Sequence, residues 1–586
     1  MQLLSKLAVG ITQAINRCGF PNKDLEGQIR QVADAKFGDY QFNGAMGLAK
    51  ELGLPPREVA VRIAEHLSLP DILATVEVAG PGFLNLRLRN DWLSSQLQTM
   101  GASDCLGVGR ANPPLTYVID FSSPNVAKPM HVGHLRSTII GDSIARVLRF
   151  LGHKVITDNH LGDWGTQFGI ILHGFKNQLN QENFAKDPVG ELARLYVEVR
   201  KQFKTEESED QTTDPVQEAC RNETAKLHHG DEENRRLWQQ FMPLCLKEIQ
   251  KVYDRLDIHF DHTHGESHYQ PFLHGVVESL EKQGLAVETD GAMGVFLKEG
   301  QPPALVRKRD GAFTYMTTDL ATIQSRVQEN DPAHILYVVD SRQAFHFQQL
   351  FEIARTWLKP KAQLHHVSFG SVLGPDRRPI KTRSGDAVAS LDQLLDEATR
   401  LAREVNQSNS QPDGSSGEAP EEDAAGDAEV IGIGAVKYAD LSQNRTSDYV
   451  FNWEKMVAMD GNTATYMQYA YARNRSIFRK GGIDMEKFRI DLRSISLETA
   501  EERQLGMQLF RFLEAVQHAG VDYRPNVLTS YLWDLAKAYS IFFQNCPVLK
   551  AESEALKMSR LGLCDLTARV LKTTLDLLGI RVLEKM

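Results

Sequence analysis

Residues 115–138 read LTYVIDFSSPNVAKPMHVGHLRST, and this stretch carries the clearest signal of the chain's architecture. The apolar run LTYVIDF is typical of a buried strand, Ser-Ser-Pro-Asn of a turn, and a helical pattern begins at HVGH. Residues 153–169, HKVITDNHLGDWGTQFG, repeat the order of apolar strand, glycine-containing turn and helix. This alternation predicts a parallel sheet with functional residues at the carboxyl ends of its strands.

The two histidines of HVGH, His131 and His134, fall where the helix should begin. A helix start offers unpaired N–H groups and partial positive charge, which favour a polyphosphate, and histidines there can donate to its oxygens. Gly133 leaves room where an adenine could lie against the backbone, and Lys128 adds a cation. The pair could instead share a metal ion, but no glutamate follows as in HExxH, and packing histidines are common. The motif alone leaves these interpretations open.

The chain has 586 residues, too many for one hydrophobic core, so several domains are expected. Residues 1–100 mix helical and strand-like patterns, and the parallel-sheet part covers 115–400 with an insertion at about 190–300. Residues 404–430 are acidic and poor in apolar side chains, which predicts a disordered loop. Residues 431–586 are helix-patterned almost throughout. We therefore predict a multidomain α/β protein with an α+β N-terminal module and an all-α C-terminal domain.

Composition excludes several classes of protein. No apolar run approaches the roughly 20 residues that span a bilayer, so no membrane association is expected. Six scattered cysteines without a CxxC pair support neither a disulfide framework nor a cysteine zinc site, and a reducing, cytoplasmic location is expected. The net charge is −10, but residues 404–430 carry eight acidic and no basic residues. The total charge therefore does not exclude nucleic acid as a partner.

These motifs carry a resemblance. HVGH resembles the HIGH signature of class I aminoacyl-tRNA synthetases, and DFSSPNVAKPMHVGHLRST closely resembles its form in the arginyl-tRNA synthetase family. The likeness continues in order through NHLGDWGTQFG, GAFTYMTTDLA, YVVDSRQAFHF, VKYADLSQNRTSDYVFNW and YMQYAYARNRSI. It implies a Rossmann-like catalytic domain, an N-terminal tRNA-contacting domain and a C-terminal anticodon-binding domain. It also implies that ATP activates L-arginine to arginyl-adenylate, from which arginine passes to arginine tRNA.

The resemblance places the family's second signature at residues 379–386, PIKTRSGD. The second lysine of the KMSKS pattern is missing there, and Ser384 lies near its position. The resemblance implies ATP contacts from Lys381, Thr382 and Arg383, and it gives Lys128 the task of replacing the missing cation. Magnesium is expected with ATP, held mainly by phosphate and water, and no protein-bound zinc is expected.

A pocket for arginine needs carboxylates, because a guanidinium presents several donors in a plane and stays charged. Glu266 and Asp319 are the candidates, and Tyr315, four residues before Asp319, would share its helix face. By resemblance these three bind the side chain of arginine, and Asn125 and Gln343 hold its α-amino or carboxylate end. The alternatives are ordinary ones: a capping aspartate, a surface glutamate and a packed tyrosine.

Contacts with tRNA are predicted in two places. Residues 466–480, YMQYAYARNRSIFRK, combine aromatic faces with cations, as suits unstacked bases, although the tyrosines could equally form a core stripe. The candidates there are Tyr466, Tyr469, Tyr471, Arg473 and Arg475, with Asn545 and Met586 as weaker ones. In the N-terminal module the resemblance implies contacts with a tRNA loop from Phe37, Asp39, Tyr40, Gln41 and Asn43.

Two alternatives stay open. One is another HIGH-type nucleotidyltransferase or a synthetase for a different amino acid, which the acidic pocket and the helical tail disfavour. The other is a catalytically inactive tRNA-binding paralogue, which the presence of Lys128, His131, His134 and Asp319 disfavours. The favoured prediction is a monomeric arginine–tRNA ligase.

Overall fold

The computed structural model describes residues 3–21, 26–32, 34–203, 214–298, 300–374, 376–378, 390–409, 421–491 and 495–586. The chain forms two compact units. The first comprises Met1–Gly109, Asn474–Glu514 and Asp534–Val570, and the second comprises Arg110–Arg473, Ala515–Trp533 and Leu571–Met586. The helical tail, predicted as one domain over 431–586, thus contributes segments to both units. None of the described helices is long and apolar enough to cross a membrane.

The N-terminal segment combines four helices with a four-stranded antiparallel sheet of order β1-β2-β4-β3, as predicted for an α+β module. The turn between the last two strands contains Gly80 and Gly82, both with positive φ. A Cβ on Gly82 would lie 2.8 Å from the carbonyl oxygen of Pro56, so a larger residue would push two segments apart. The elements are α1 (Leu3–Arg17), β1 (Ile29–Gln31), β2 (Tyr40–Phe42), α2 (Ala45–Leu52), α3 (Pro56–His66), β3 (Leu73–Ala79), β4 (Phe83–Leu88) and α4 (Asn90–Ala102).

The predicted parallel sheet is present in the second unit. It has five strands in the order β12-β11-β5-β6-β7, and a separate three-stranded antiparallel sheet has the order β10-β9-β8. The elements are β5 (Thr116–Asp120), α5 (Val132–Phe150), β6 (Lys154–Leu161), α6 (Thr166–Gln178), α7 (Gln181–Lys186), α8 (Pro188–Lys201), α9 (Pro215–His229), α10 (Glu232–Arg255), β7 (His262–Gly265), α11 (Glu266–Tyr269), α12 (Leu273–Lys282), β8 (Ala286–Thr289), β9 (Ala292–Val295), β10 (Ala304–Arg307), α13 (Tyr315–Asn330), β11 (His334–Tyr337), α14 (Ala344–Trp357), β12 (Gln363–His366), β13 (Val372–Leu373) and α15 (Leu391–Asn409).

The predicted insertion at about 190–300 needs a correction, because β7 lies within it and belongs to the parallel sheet. Its sequence, HTHG, is short and polar, as an edge strand can be, and so carries no apolar strand signal. The inserted parts are therefore the helices between β6 and β7 and the antiparallel sheet between α12 and α13.

A buried polar contact joins the central strands β5 and β6 to α13. The guanidinium of Arg326 donates to Asp120 at 2.6 Å and to Asp158 at 3.0 Å, and only 3% of Arg326 is exposed. Helix α5 packs closely against the end of β5, because a Cβ on Gly141 would overlap the ring of Phe121, the residue after that strand. These contacts fix the carboxyl edge of the sheet, where the candidate residues lie.

The helical tail is confirmed as almost entirely α, and within its described residues the short strand β14 (Tyr449–Val450) pairs in parallel with β13. Its elements are α16 (Glu421–Leu441), β14 (Tyr449–Val450), α17 (Trp453–Met456), α18 (Ala464–Lys480), α19 (Met485–Asp491), α20 (Ala500–Phe510), α21 (Phe512–Asp522), α22 (Asn526–Asn545) and α23 (Glu554–Leu577).

The prediction of a disordered loop over 404–430 is wrong at both ends. Residues 404–409 continue α15 and residues 421–430 belong to α16, while residues 410–420 lie outside the described part of the chain. The two helices pack together: Leu395 and Ala398 are buried on one, and Ile431 is buried on the other. Tertiary packing therefore stabilises helices whose composition alone predicts disorder.

Candidate active site

The turn after β5 is strained and firmly held. Ser122 and Ser123 have φ values of 71° and 48°, a left-handed conformation that is costly for residues with a Cβ. The N–H of Ser122 donates to the Ser137 hydroxyl at 2.9 Å, and the N–H of Ser123 donates to the Asn159 side chain at 3.1 Å. Side chains of α5 and β6 therefore stabilise the turn that leads to HVGH.

Asn125 follows this turn and forms a parallel bridge with Gly162, beyond the end of β6. Its side-chain oxygen accepts the N–H of Ala127 at 3.1 Å. Because β5 and β6 run parallel, the bridge places Asn125 at the carboxyl edge of the sheet, as predicted. Its role toward a substrate stays a prediction.

The two histidines cap α5 reciprocally. The Nδ1 of His131 accepts the N–H of Gly133 at 3.0 Å, and the Nδ1 of His134 accepts the N–H of His131 at 3.1 Å. Because both Nδ1 atoms are acceptors, we assign the proton of each ring to Nε2. The ring centroids lie 3.9 Å apart. The Nε2–H groups, on the far side of the rings from the capping contacts, are then the donors that a ligand can use.

Both imidazoles are neutral near physiological pH. Burial, and secondarily Lys128, lowers the pKa of His131. Burial, then His131 and Lys128, lowers the pKa of His134 to about 3. The histidine pair therefore supplies neutral donors, and a fixed positive charge has to come from another residue.

Gly133 is required by the capping itself. A Cβ there would lie 2.8 Å from Cε1 and 2.9 Å from Nδ1 of His131, closer than such atoms can approach. The glycine therefore makes room for the imidazole of His131. Its predicted contact with an adenine stays a prediction.

Lys128 contacts a residue that the sequence analysis missed. Its Nζ lies 4.7 Å from the ring centroid of Tyr196, a cation–π arrangement that orients the ammonium group. Tyr196 is buried on α8, within the predicted insertion. No signal in the sequence connects two residues that lie so far apart along the chain.

The predicted acidic residues share one electrostatic site. Glu266 is the first residue of α11, and Tyr315 and Asp319 lie in the first five residues of α13. Burial, then Asp163, then Asp319 raises the pKa of Glu266 to about 7. Burial raises the pKa of Tyr315, with further contributions from Glu266 and Asp319. The structure thus brings these three predicted residues together, although they come from two separate elements.

Two residues that the sequence analysis missed complete this acidic site. The Nε2 of His346, on α14, lies 2.6 Å from Oδ2 of Asp319. Burial lowers the pKa of His346, but its contact with Asp319 outweighs burial and the net shift is upward. Asp163, just beyond β6, accepts hydrogen bonds from Ser267 beside Glu266. The only signal in the sequence for either residue is that His346 lies three residues after the candidate Gln343.

Comparison with known proteins decides what this site belongs to. A family profile described as "tRNA synthetases class I (R), catalytic domain" matches residues 100–453. Profiles described as "Arginyl tRNA synthetase N terminal domain" and "DALR anticodon binding domain" match residues 5–88 and 467–586. The chain belongs to the arginyl-tRNA synthetase family. The family and the class I fold predicted from the sequence are confirmed.

Similar proteins cover the chain from end to end. An arginine–tRNA ligase of Rhodopirellula baltica is 42% identical over 675 aligned positions and covers 100% of both chains. An arginine–tRNA ligase of a Synechococcus species is 46% identical over 565 residues, which are 95% of this chain and 94% of the relative. The crystal structure of arginyl-tRNA synthetase from Plasmodium falciparum superposes with a TM-score of 0.82 at 29% identity, covering 100% of this chain and 99% of that one.

Not all predicted substrate contacts of this synthetase can be placed. Gln343 lies in an exposed turn between β11 and α14, three residues before His346. Lys381, Thr382 and Arg383, predicted to contact ATP, lie outside the described residues.

The predicted tRNA-contacting stretch of α18 divides between surface and core. Tyr469 is 38% exposed, whereas Tyr471 is 4% exposed and donates through its hydroxyl to Glu584 at 2.5 Å. Arg473 and Arg475 are half-buried, and the latter lies 5.9 Å from the ring of Phe478. The other three candidates are a half-buried Tyr466, whose ring lies 5.7 Å from that of Trp533, an exposed Asn545 at the end of α22, and a half-buried Met586. Tyr471 is therefore a core residue, as in the alternative interpretation in which the tyrosines of this stretch form part of the core.

In the N-terminal module of the synthetase, the predicted contacts of Asp39 and Tyr40 with tRNA are wrong. Tyr40 is fully buried, and its hydroxyl donates to Glu514 at 2.6 Å. Asp39 is 3% exposed and accepts a bidentate pair from Arg503 at 2.7 and 2.9 Å. Their partners come from the helical tail, which a local reading of KFGDYQFN does not reveal. Of the other candidates, Phe37 is 44% exposed, and Gln41 and Asn43 are half-buried.

Proposed function

We propose that this synthetase activates L-arginine with MgATP and transfers it to arginine tRNA. The observation that carries the proposal is that the two histidines capping α5 and the carboxylates at the starts of α11 and α13 lie at one edge of a parallel sheet. The relatives that match 95–100% of the chain are arginine–tRNA ligases. A polyphosphate and a guanidinium are the two groups that such a site complements.

The reaction has two steps. A carboxylate oxygen of arginine attacks the α-phosphorus of ATP, the bond between the α-phosphorus and the α,β-bridging oxygen breaks, and arginyl-adenylate and pyrophosphate form. A hydroxyl of the terminal ribose of tRNA then attacks the carbonyl carbon, AMP leaves and the hydroxyl proton is released. Neither step needs a protein nucleophile, so positioning and charge stabilisation account for the catalysis.

The ATP end of the proposed site is built on α5. The Nε2–H groups of His131 and His134 donate to phosphate oxygens as charge develops on pyrophosphate, and Lys128 supplies the fixed cation. Gly133 keeps the first imidazole in its capping position. Lys381, Thr382 and Arg383 complete this end of the site, and Mg²⁺ arrives with ATP, held mainly by phosphate and water.

The arginine end of the proposed site is the acidic cluster. Glu266 and Asp319 accept hydrogen bonds from the guanidinium of arginine, and the hydroxyl of Tyr315 lies beside the two carboxylates. His346 orients the carboxylate of Asp319 through their 2.6 Å contact. Asn125 and Gln343 hold the α-amino and carboxylate groups, so the reacting carboxylate faces the ATP end.

The proposed division of labour follows the sequence-based boundaries. Residues 1–100 contact a tRNA loop through Phe37 and Asn43, residues 115–400 catalyse both steps, and residues 431–586 bind the anticodon through Tyr469, Arg473 and Arg475. Exposed aromatic rings and cations suit unstacked bases. The protein acts as a cytoplasmic monomer, which sedimentation of the purified chain with and without tRNA tests.

One set of assays tests the proposed activity. In pyrophosphate exchange with each amino acid, in the presence of tRNA, only arginine should support exchange, and an arginine tRNA transcript should be charged. Exchange with another amino acid but not with arginine would mean a different synthetase. Binding of tRNA without exchange or charging would mean an inactive paralogue.

A further inference from the structure

Asp163 is a buried carboxylate aimed at the start of α11. The residue is 3% exposed and lies two positions beyond the last residue of β6. Its Oδ1 accepts the N–H of Ser267 at 2.9 Å, and its Oδ2 accepts the hydroxyl of Ser267 at 2.6 Å. Ser267 is the second residue of α11, and Glu266 is the first. Asp163 therefore fixes the backbone that carries Glu266.

The neighbouring backbone is shaped around this carboxylate. A Cβ on Gly265 would overlap the carboxylate carbon and both oxygens of Asp163, so the backbone of Gly265 packs directly against the Asp163 carboxylate. From the other side, the indole N–H of Trp238 donates to the carbonyl oxygen of Asp163 at 2.9 Å. The position of Asp163 behind Glu266 is thus determined by contacts with three elements.

In the part of the chain that the structure describes, these two acids have no lysine or arginine partner. Among the described residues, no lysine or arginine forms an ion pair with Asp163 or Glu266, and their neighbour Asp319 pairs with His346. A buried carboxylate without a cation is costly, so the site gains most from a ligand that supplies one. The other titratable groups around the pair, taken from each neighbouring element, are His160 on β6, His228 on α9, His264 on β7, His268 on α11, and Tyr315 and Asp319 on α13.

We propose that Asp163 is a positioning and specificity-determining residue of the arginine pocket. It places Glu266 through Ser267 and adds a second negative charge behind it. The pocket then accepts a side chain with a fixed positive charge and rejects a neutral one of the same shape, such as the urea group of citrulline. This inference rests on the proposed assignment of Glu266 to the arginine pocket.

The binding of arginine to this pocket is coupled to the release of a proton. Burial, then Asp163, then Asp319 raises the pKa of Glu266 to about 7 without ligand. A guanidinium favours the ionised carboxylate, so arginine binding below that pH releases a proton from Glu266 to the solvent. The KM for arginine should fall as the pH rises through 7 and should then become constant. Loss of the Asp163 charge should move this dependence to lower pH.

Asp163→Asn in the full-length chain tests the inference, because asparagine keeps the size of the side chain and removes its charge. At pH 8, in pyrophosphate exchange with tRNA, we expect the KM for arginine to rise about tenfold and the discrimination against citrulline to fall about tenfold. The KM for ATP should stay within about twofold. The midpoint of the pH dependence of the arginine KM should move down, whereas in Ser267→Ala, which keeps the charge, it should stay in place. A merely structural role would not move this midpoint.

Two further measurements keep the outcomes distinct. Calorimetry of arginine binding to the unaltered protein, in buffers of different ionisation enthalpy, should show release of part of one proton near pH 7; no release would overturn the inference even if Asp163→Asn fails to fold. Asp319→Asn is assayed in parallel. A raised arginine KM in Asp319→Asn with unchanged values in Asp163→Asn would refute the inference alone, and unchanged values in both would refute the proposed pocket.

Discussion

The Nδ1 atom of His134 accepts the backbone N–H of His131 at 3.1 Å, and His131 in turn accepts the N–H of Gly133 at 3.0 Å. The side chains that cap the start of α5 are therefore the same ones that we propose as hydrogen-bond donors to the phosphates. Because each ring uses Nδ1 for capping, its Nε2–H is the group left for ATP. Capping and catalysis can be separated by the choice of substitution.

His131→Asn should retain stability and lose activity. Asparagine is a good helix N-cap, so the midpoint of thermal unfolding should stay within about 2 °C, but the Nε2–H donor is gone. We expect pyrophosphate exchange to fall about 100-fold. His131→Ala, the matched control, should lose the same activity and also about 1 kcal/mol of stability. Full activity in His131→Asn would show that the imidazole only caps the helix.

Gly133→Ala should impair the ATP end of the site. The added Cβ would lie 2.8 Å from the ring of His131 and force the imidazole to move. We expect kcat/KM for ATP to fall at least about tenfold. Gly275→Ala on α12 is the control, since a Cβ there meets nothing within 4 Å, and its activity should be unchanged. Equal activities of the two variants would contradict the role given to Gly133.

Glu266→Gln should stabilise the arginine-free protein at high pH. The carboxyl has a pKa of about 7 when folded against an ordinary value of 4.5, so folding disfavours its ionised form. The contribution of Glu266 to stability is thus present below pH 4.5 and is lost as the pH rises through 7. We expect the variant to match the unaltered protein near pH 5 and to exceed it at pH 8 by about 1–3 kcal/mol, measured by unfolding in denaturant. The same difference at both pH values would contradict this.

His346→Leu should weaken arginine binding and spare ATP binding. The change removes the partner that lies 2.6 Å from Asp319, so the carboxylate loses its orientation. We expect the arginine KM to rise about tenfold, with little change in the ATP KM. His346→Gln, which keeps an N–H donor, should have a smaller effect. Equal increases in both KM values would point to general damage to the fold instead.

Arg136→Met should destabilise the second unit. The guanidinium is 1% exposed, pairs with Asp440 at 3.1 Å and donates to the carbonyl oxygen of Gly370 at 2.7 Å. Its loss leaves a buried carboxylate unpaired, which costs about 3–5 kcal/mol in unfolding experiments. Adding Asp440→Asn should recover part of this. Arg400→Met, which breaks a pair with Glu397 on the surface, should cost less than about 1 kcal/mol.

Much of the fold could be predicted from local patterns. The apolar strand before Ser122 and the helix that begins at Val132 lie where the sequence placed them, because strand and helix periodicity and turn residues act over short distances. The polar strand β7, the polar end of α15 and the acidic start of α16 escaped prediction. In each case pairing or packing with a distant segment stabilises residues whose own composition gives no signal.

The residues of the candidate site were predicted only in part. Glu266, Tyr315 and Asp319 were chosen because their motifs resemble a family, and the structure brings them together. Asp163 and His346 act through contacts with residues more than 25 positions away, which no local pattern reveals. Asp39 and Tyr40, in contrast, were predicted to contact tRNA but are buried. Tyr40 begins a strand of only three residues and Asp39 precedes it, so alternation is too short to show which side is covered by another segment.

The family, most of the strands and helices, and the types of residue available for phosphate and guanidinium recognition follow from the amino-acid sequence alone. These depend on periodicity and on side-chain chemistry, both of which are properties of neighbouring residues. The hydrogen-bonding role of each histidine nitrogen, the carboxylate next to Glu266 and the burial of individual aromatic residues follow from three-dimensional contacts instead. Protonation and exposure depend on what surrounds a group in space, and that environment is assembled from segments far apart in the chain.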